Sequence, residues 1–76
     1  MLYHSPIEID PAICSGKPVI RGTRILVTSI LSQLAAGESF HAIRKGFPGL
    51  TDDDIKVAIE FARESAEGTE LTALPD

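Results

Sequence analysis

The chain has 76 residues, 43% of them hydrophobic and 24% charged, which allows one small domain with a single core. Its net charge of −4 argues against a dedicated binder of nucleic acids, because such binders gain affinity by neutralising phosphates. The single Cys14 excludes an internal disulfide and a zinc site made of several cysteines of one chain. No leader pattern and no membrane-spanning apolar run is visible, so we expect a cytoplasmic protein with no role in membranes.

Short extended segments are predicted in the first third of the chain. Residues 7–9 alternate weakly between apolar and charged side chains, as an edge strand does. Residues 19–20 and 23–27 favour β structure, and Gly22 between them can adopt the positive φ of a tight turn. We therefore predict a small hairpin, or a paired extended segment, ahead of the helices.

Helical periodicity begins at the end of this segment. Apolar side chains at helical spacing predict an amphipathic helix over residues 27–36, with Thr28 or Ser29 near its start and Gly37 as its terminator. A shorter second helix follows, with Ser39 as its N-cap and a glycine at its end. The connections on both sides are short, so we expect the helices to pack as one compact cluster.

A third and longer helix is predicted over residues 51–66. Thr51 and Asp54 match a shortened capping box, and three consecutive aspartates suit the positive end of the helix dipole. One apolar stripe is predicted to face the core, and its members are Ile55, Ala58, Ile59, Ala62 and Ala66. Val57 and Phe61 lie off that stripe, so we expect them to contact a second chain, either in a homodimer or in a complex with another protein.

The chain divides by charge as well as by pattern. Residues 1–46 carry five basic and three acidic side chains, a net charge of +2, whereas residues 47–76 carry two basic and eight acidic ones, a net charge of −6. We predict one domain over residues 1–66 and an acidic C-terminal tail over residues 67–76. Two apolar residues of the tail are candidates for docking on a partner, namely Leu71 and Leu74.

The sequence offers no convincing catalytic or metal-binding group. His4 and His41 are far apart and have no cysteine or paired acid at ligand spacing. The three aspartates at residues 52–54 diverge around a helical turn, and a helix start already accounts for them. Gly16-Lys17 lacks the order of a phosphate-binding loop, which places lysine directly after its second glycine. We therefore predict a protein that is not an enzyme and carries no cofactor or metal.

The decapeptide at residues 16–25, Gly-Lys-Pro-Val-Ile-Arg-Gly-Thr-Arg-Ile, resembles the signature of the DUF433 family of small prokaryotic proteins. Later positions agree with that pattern as far as residue 63, among them Leu34, Gly37-Glu38-Ser39, Ile43, Phe47-Pro48, Leu50-Thr51, Asp54-Ile55, Ala58 and Ala62. The resemblance implies a mainly α domain of three helices, a helix-turn-helix of homeodomain-like or winged type, preceded by a short β-hairpin or β-arm.

The resemblance also implies a function. Family members look like antitoxins of type II toxin–antitoxin pairs and are often encoded beside a PIN-like ribonuclease of the DUF5615 type. This chain is accordingly expected to block such a nuclease and to bind operator DNA as a dimer. The alternatives are a transcriptional repressor without a toxin partner and a dimeric interaction module with no nucleic-acid role.

One feature conflicts with reading of DNA by the third helix. The first residues of a recognition helix meet base edges and phosphates, but here they are three aspartates, which phosphates repel. We expect DNA contacts from the basic residues instead, and the candidates are Lys17, Arg21, Arg24, Arg44 and Lys45. An acidic surface suits a nuclease, whose cleft must be basic enough to hold RNA.

Overall fold

The computed structural model describes residues 6–68. In this part of the chain two short strands precede three helices, and in chain order these are β1 (Ile7–Glu8), β2 (Val19–Ile20), α1 (Val27–Ala35), α2 (Phe40–Gly46) and α3 (Asp52–Glu67). The predicted fold class, mainly helical with a short antiparallel strand pair ahead of the helices, is confirmed. The tail residues Leu71 and Leu74 lie outside the described residues. A search of residues 6–68 finds no helix capable of spanning a membrane.

Strand β2 lies between two extended partners. It pairs antiparallel with β1, so that Ile7 is opposite Ile20 and Glu8 is opposite Val19. On its other side Val19 forms a single antiparallel bridge with Leu26. The signal at residues 7–9 therefore corresponds to a regular strand, and the hairpin predicted after β2 is present as one bridge.

The turn after β2 is closed by the side chain and backbone of Thr23. Its N–H donates to the Ile20 carbonyl at 3.0 Å, and its hydroxyl donates to the same carbonyl at 2.7 Å. The hydroxyl oxygen also accepts from the Ile25 N–H at 2.9 Å. Gly22 has a φ of +81°, a left-handed conformation that glycine adopts without steric cost. The tight turn expected at this position is confirmed.

Helices α2 and α3 begin with the caps that the sequence predicts. The Ser39 hydroxyl accepts from the Ala42 N–H at 3.1 Å. Thr51 and Asp54 form a complete capping box, because each side chain accepts from the other's N–H at 3.1 Å. These bonds satisfy backbone donors that have no partner within the first helical turn.

Helix α1 begins at Val27, where the periodicity predicts it, but it has no side-chain cap. Its N-cap is Leu26, and neither Thr28 nor Ser29 supplies a capping side chain. Instead the Val27 N–H donates to the Pro18 carbonyl at 3.0 Å. The ribbon of extended segments (residues 6–26) thus satisfies a donor at the start of α1, which makes a side-chain cap unnecessary.

One hydrophobic core joins the ribbon to the helices. Both strands, each of the three helices and the loop before α3 contribute buried side chains to it. These are Ile7, Ile20, Val27, Ile30, Ile43, Leu50, Ile55 and Ala58. Helix α3 packs against α1, α2 and β1. The ribbon is therefore an integral part of the domain.

The predicted division of α3 into two faces is wrong in one respect. Ile59 is 41% exposed, whereas Val57 and Phe61 are half-buried and pack against the core cluster. On a helical wheel the apolar residues of α3 span one arc of roughly 200°, with Val57 and Ile59 at its two edges. Ala58, at the middle of this arc, is fully buried, and α3 packs against α1, α2 and β1. Ile59 is consequently left at the exposed edge.

Candidate functional site

The five basic residues that the sequence singles out lie on two elements. Lys17, Arg21 and Arg24 belong to the ribbon and are exposed. Lys45 is exposed on the last turn of α2, and its neighbour Arg44 is half-buried. The ribbon therefore presents three positive charges to solvent within eight residues.

Arg21 has a structural contact in addition to its exposure. Its Nη2 donates to the Ile7 carbonyl at 3.5 Å, so the side chain lies over the β1 strand to which β2 is paired. A substitution at Arg21 would therefore change the ribbon as well as its charge, which makes Arg24 and Lys17 cleaner positions for testing an electrostatic contact.

Arg44 is engaged by the start of α3. Its Nε lies 2.7 Å from Asp52 Oδ1, across the loop that joins α2 to α3. No acceptor within residues 6–68 is aligned for a hydrogen bond with this Nε, so the contact acts through charge. Both side chains are partly exposed, at 39% and 55%, and such pairs contribute about 0–1 kcal/mol. The pair nevertheless neutralises a basic residue proposed for DNA contact and an aspartate that would repel DNA.

An acidic stripe runs along the solvent side of α3. It consists of four exposed carboxylates, Asp53, Glu60, Glu64 and Glu67. Their spacing of seven, four and three residues keeps them within about 60° of one another around the helix. Within the described residues this is the longest run of negative side chains on one face of a helix.

Arg63 binds two members of the stripe. Its Nε donates to Glu60 Oε1 at 3.1 Å, and its Nη1 donates to Glu67 Oε2 at 2.8 Å. The hydrogen bonds from Arg63 hold the pKa of Glu60 below its ordinary value, and the same contact raises the pKa of Arg63. These contacts orient Glu60 and Glu67, and they offset part of the negative charge at the centre of the stripe, as the Arg44–Asp52 pair does at the start of α3.

The apolar interface candidates are partly used by the fold itself. Val57 and Phe61 pack against the core and are half-buried, and their contact with a second chain stays a prediction. The large exposed apolar side chains of residues 6–68 are Ile9, at 50%, and Ile59, at 41%, and only Ile59 was predicted to face the core. Because Ile59 adjoins the exposed side of α3, it is a better candidate for intermolecular contact than Phe61.

Residues with catalytic or ligating chemistry are not brought together in the described part of the chain. No group of three or more histidine, cysteine, aspartate or glutamate side chains among residues 6–68 is arranged to hold a metal ion. His41 is exposed on α2, and Cys14 is half-buried with its Sγ 3.9 Å from the Arg24 carbonyl oxygen. What residues 6–68 offer is a set of charged and apolar surfaces.

Comparisons with known proteins identify relatives of similar sequence and fold. A model of the family described as "Protein of unknown function (DUF433)" matches residues 7–62. The uncharacterized protein y4eO of Sinorhizobium fredii is 36% identical over 56 residues, which cover 74% of this chain and 25% of that protein. The crystal structure of a DUF433 member protein from Anabaena variabilis is 31% identical with a TM-score of 0.76, covering 86% of this chain and 64% of that chain. This chain thus spans a quarter of the curated relative.

Proposed function

This chain belongs to the DUF433 family, and we propose that it acts as the antitoxin of a type II toxin–antitoxin pair. In this role it binds and neutralises a PIN-like ribonuclease in the cytoplasm and needs no catalysis or cofactor of its own. The proposal comprises a protein surface that occludes the nuclease and a homodimer, and a second function is contact of the basic ribbon with operator DNA.

The acidic stripe of α3 carries the first part of the proposal. A nuclease that holds RNA needs a basic cleft, and a row of carboxylates on a rigid helix matches that cleft in sign. Asp53, Glu60, Glu64 and Glu67 are exposed along four turns of one helix, and Arg63 fixes the position of Glu60. Such a surface competes with the phosphates of RNA for the same positive residues, which supports inhibition by occlusion.

The nuclease complex is tested by co-expression with a PIN-like protein encoded beside this gene. We expect the two proteins to co-purify and the paired variant Glu60→Gln/Glu64→Gln to weaken the complex by about tenfold, because two charged contacts are lost. Glu38→Gln, which removes an exposed acid before α2, is the matched control and should leave affinity unchanged. Failure to co-purify, or an equal loss with the control, would contradict the proposal.

A homodimer is part of the same proposal. Ile59 is a branched side chain at the edge of the apolar arc of α3, and burying its exposed 41% would contribute about 1 kcal/mol. Sedimentation equilibrium should give a dimer mass for the native chain and a monomer mass for Ile59→Glu. An unchanged mass for the variant would remove α3 from the dimer interface.

Contact with operator DNA is a second function, supported by the exposed ribbon. Lys17 and Arg24 are exposed there, and each phosphate contact should add about one unit to the slope of log affinity against log salt. Mobility-shift titrations at two salt concentrations should show weaker binding and a shallower slope for Lys17→Ala/Arg24→Ala. Lys56→Ala on α3 is the control with unchanged slope. Absence of specific binding by the native chain would retire this function.

A further inference from the structure

A cleft of about 430 Å³ opens on the ribbon. Five residues line it, namely Glu8, Ile13, Gly22, Thr23 and Arg24. Only Arg24 among them has a part in the functions proposed above. The functions proposed so far therefore do not account for the cleft, and its walls and charges indicate what it can bind.

The first wall of the cleft is built by a loop that folds on itself. The Asp10 carboxylate accepts a hydrogen bond from the Ala12 N–H at 2.9 Å. The backbone carbonyl of Asp10 accepts one from the Ile13 N–H at 2.8 Å. The Ile13 carbonyl in turn accepts from the Gly16 N–H at 3.0 Å. These short-range bonds hold the half-buried Ile13 side chain in place as an apolar wall.

The opposite wall is the tight turn closed by Thr23. The Thr23 hydroxyl uses its donor on Ile20 and accepts from Ile25, so its position is fixed from both sides. The two walls meet where Cys14 Sγ lies 3.9 Å from the Arg24 carbonyl oxygen. Because both walls are held by internal bonds, a ligand would not have to order them on binding.

The cleft contains an acid and a base that do not pair with each other. Glu8 Oε1 accepts from the Gly22 N–H at 3.4 Å, which holds the carboxylate against the turn. Arg24 is exposed, and within residues 6–68 its guanidinium has no hydrogen-bond or ion-pair partner. A planar guanidinium of this kind binds a carboxylate with two parallel hydrogen bonds.

The mixed chemistry of the lining selects the class of ligand. A nucleic-acid backbone can place a phosphate on Arg24, but it offers no hydrogen-bond donor to Glu8 and no apolar side chain to Ile13. A polypeptide segment can place a carboxylate on Arg24, a backbone N–H on Glu8 and an apolar side chain against Ile13. We propose that this cleft binds a segment of a protein partner in which an apolar residue adjoins an acidic one.

This inference deepens the antitoxin proposal, on which it rests, by giving the partner a second point of attachment. The stripe on α3 engages basic residues, and the cleft engages an acidic residue next to an apolar one. The nuclease would then be held from two sides by contacts of opposite sign, which fixes its orientation as well as its affinity.

The cleft is tested by nuclear magnetic resonance on the ¹⁵N-labelled full chain. The probes are the blocked dipeptides acetyl-Leu-Glu-amide and acetyl-Leu-Gln-amide and the oligonucleotide hexathymidylate. We expect the first dipeptide to shift the amide signals of Ile13, Gly22 and Thr23 saturably, and to bind at least about threefold more tightly than the second. Arg24→Gln should abolish this preference, whereas Arg24→Lys keeps part of it and Lys45→Gln keeps all of it.

Three outcomes overturn the proposal. They are equal affinity of the two dipeptides, a preference that survives Arg24→Gln, and shifts at Gly22 and Thr23 caused by hexathymidylate but by neither dipeptide. The titration contains no nuclease, so its failure removes the cleft and leaves the antitoxin proposal standing. Loss of co-purification with a positive titration removes the antitoxin proposal alone.

Discussion

The ribbon and the helical region, residues 27–67, are specified by different physical terms. The ribbon contains two strands of two residues each, and its path is set by turn bonds and by left-handed backbone conformations at Cys14, Ser15, Gly16 and Gly22. The helical region is set by caps and by side chains that are fully enclosed, such as Ile30, Ile43 and Ile55. Buried side chains anchor both regions, since Ile7, Val19 and Ile20 of the ribbon are as enclosed as the core residues of the helices. The comparison teaches that the ribbon depends in addition on left-handed backbone conformations at its turns.

The same division separates the two signs of charge. The ribbon carries three basic and two acidic side chains, whereas residues 27–67 carry four basic and seven acidic ones. Three of the five basic candidates thus sit on the ribbon, and the acidic stripe sits on the longest helix. Substitutions in the two regions therefore measure how far the free energy of unfolding depends on the part of the chain that carries each proposed surface.

Ile55→Ala should have the largest effect. Ile55 is fully buried, and its truncation removes packing and leaves a cavity, at a cost of about 2–5 kcal/mol. A domain of this size has a total stability of the same order, so we expect a largely unfolded chain. Ile59→Ala, on the same helix but 41% exposed, should cost less than about 1 kcal/mol. Urea denaturation of both variants measures the difference, and equal losses would place Ile59 in the core.

Gly22→Ala tests the ribbon by its backbone alone. No atom lies within 4 Å of the position of an added Cβ, but the φ of +81° is unfavourable for alanine by about 1–2 kcal/mol. At Gly46, the end of α2, an added Cβ also meets no neighbour and the φ is not left-handed. Gly46→Ala should therefore raise the free energy of unfolding by about 0.5–1 kcal/mol. Thermal unfolding should show opposite signs for the two variants. A stable Gly22→Ala chain would mean that the turn adopts another conformation.

Thr51→Ala removes half of the capping box of α3. We expect a loss of about 1 kcal/mol, because the Asp54 N–H loses its acceptor. Thr28→Ala, at an exposed position of α1 that makes no capping bond, is the control with a change near zero. Denaturant midpoints at constant m-value compare the two. A loss at Thr28 as large as that at Thr51 would contradict the cap assignment.

The smallest effect concerns pH and the Glu60–Arg63 pair. Hydrogen bonds from Arg63 lower the pKa of Glu60 in the folded chain, so the pair stabilises the fold at neutral pH. This contribution is lost as the pH falls through the folded-state pKa of Glu60, below the ordinary value for glutamate. Carbon-13 titration of the Glu60 carboxyl should show the depressed pKa in the native chain and a return towards the ordinary value in Arg63→Gln. Lys45→Gln should leave it unchanged.

The candidate site could be predicted only in part. Charge counting located the acidic and basic regions, because charged side chains lie at the surface whatever the fold. It could not reveal that Arg44 faces Asp52, since that contact depends on how α2 and α3 pack. It also could not reveal the cleft. Glu8 and Arg24 are sixteen positions apart in the sequence, and the pairing of β1 with β2 brings them to the lining of the same cleft.

The sequence by itself determined the local structure. Two helix caps depend on hydrogen bonds that span three residues, one between Thr51 and Asp54 and one from the Ala42 N–H to Ser39. The turn after β2 depends on the single φ angle of Gly22. Tertiary structure alone decided which part of the wide apolar arc of α3 faces inward. That choice depends on where α1 and β1 pack, and a periodicity in one segment carries no information about its neighbours.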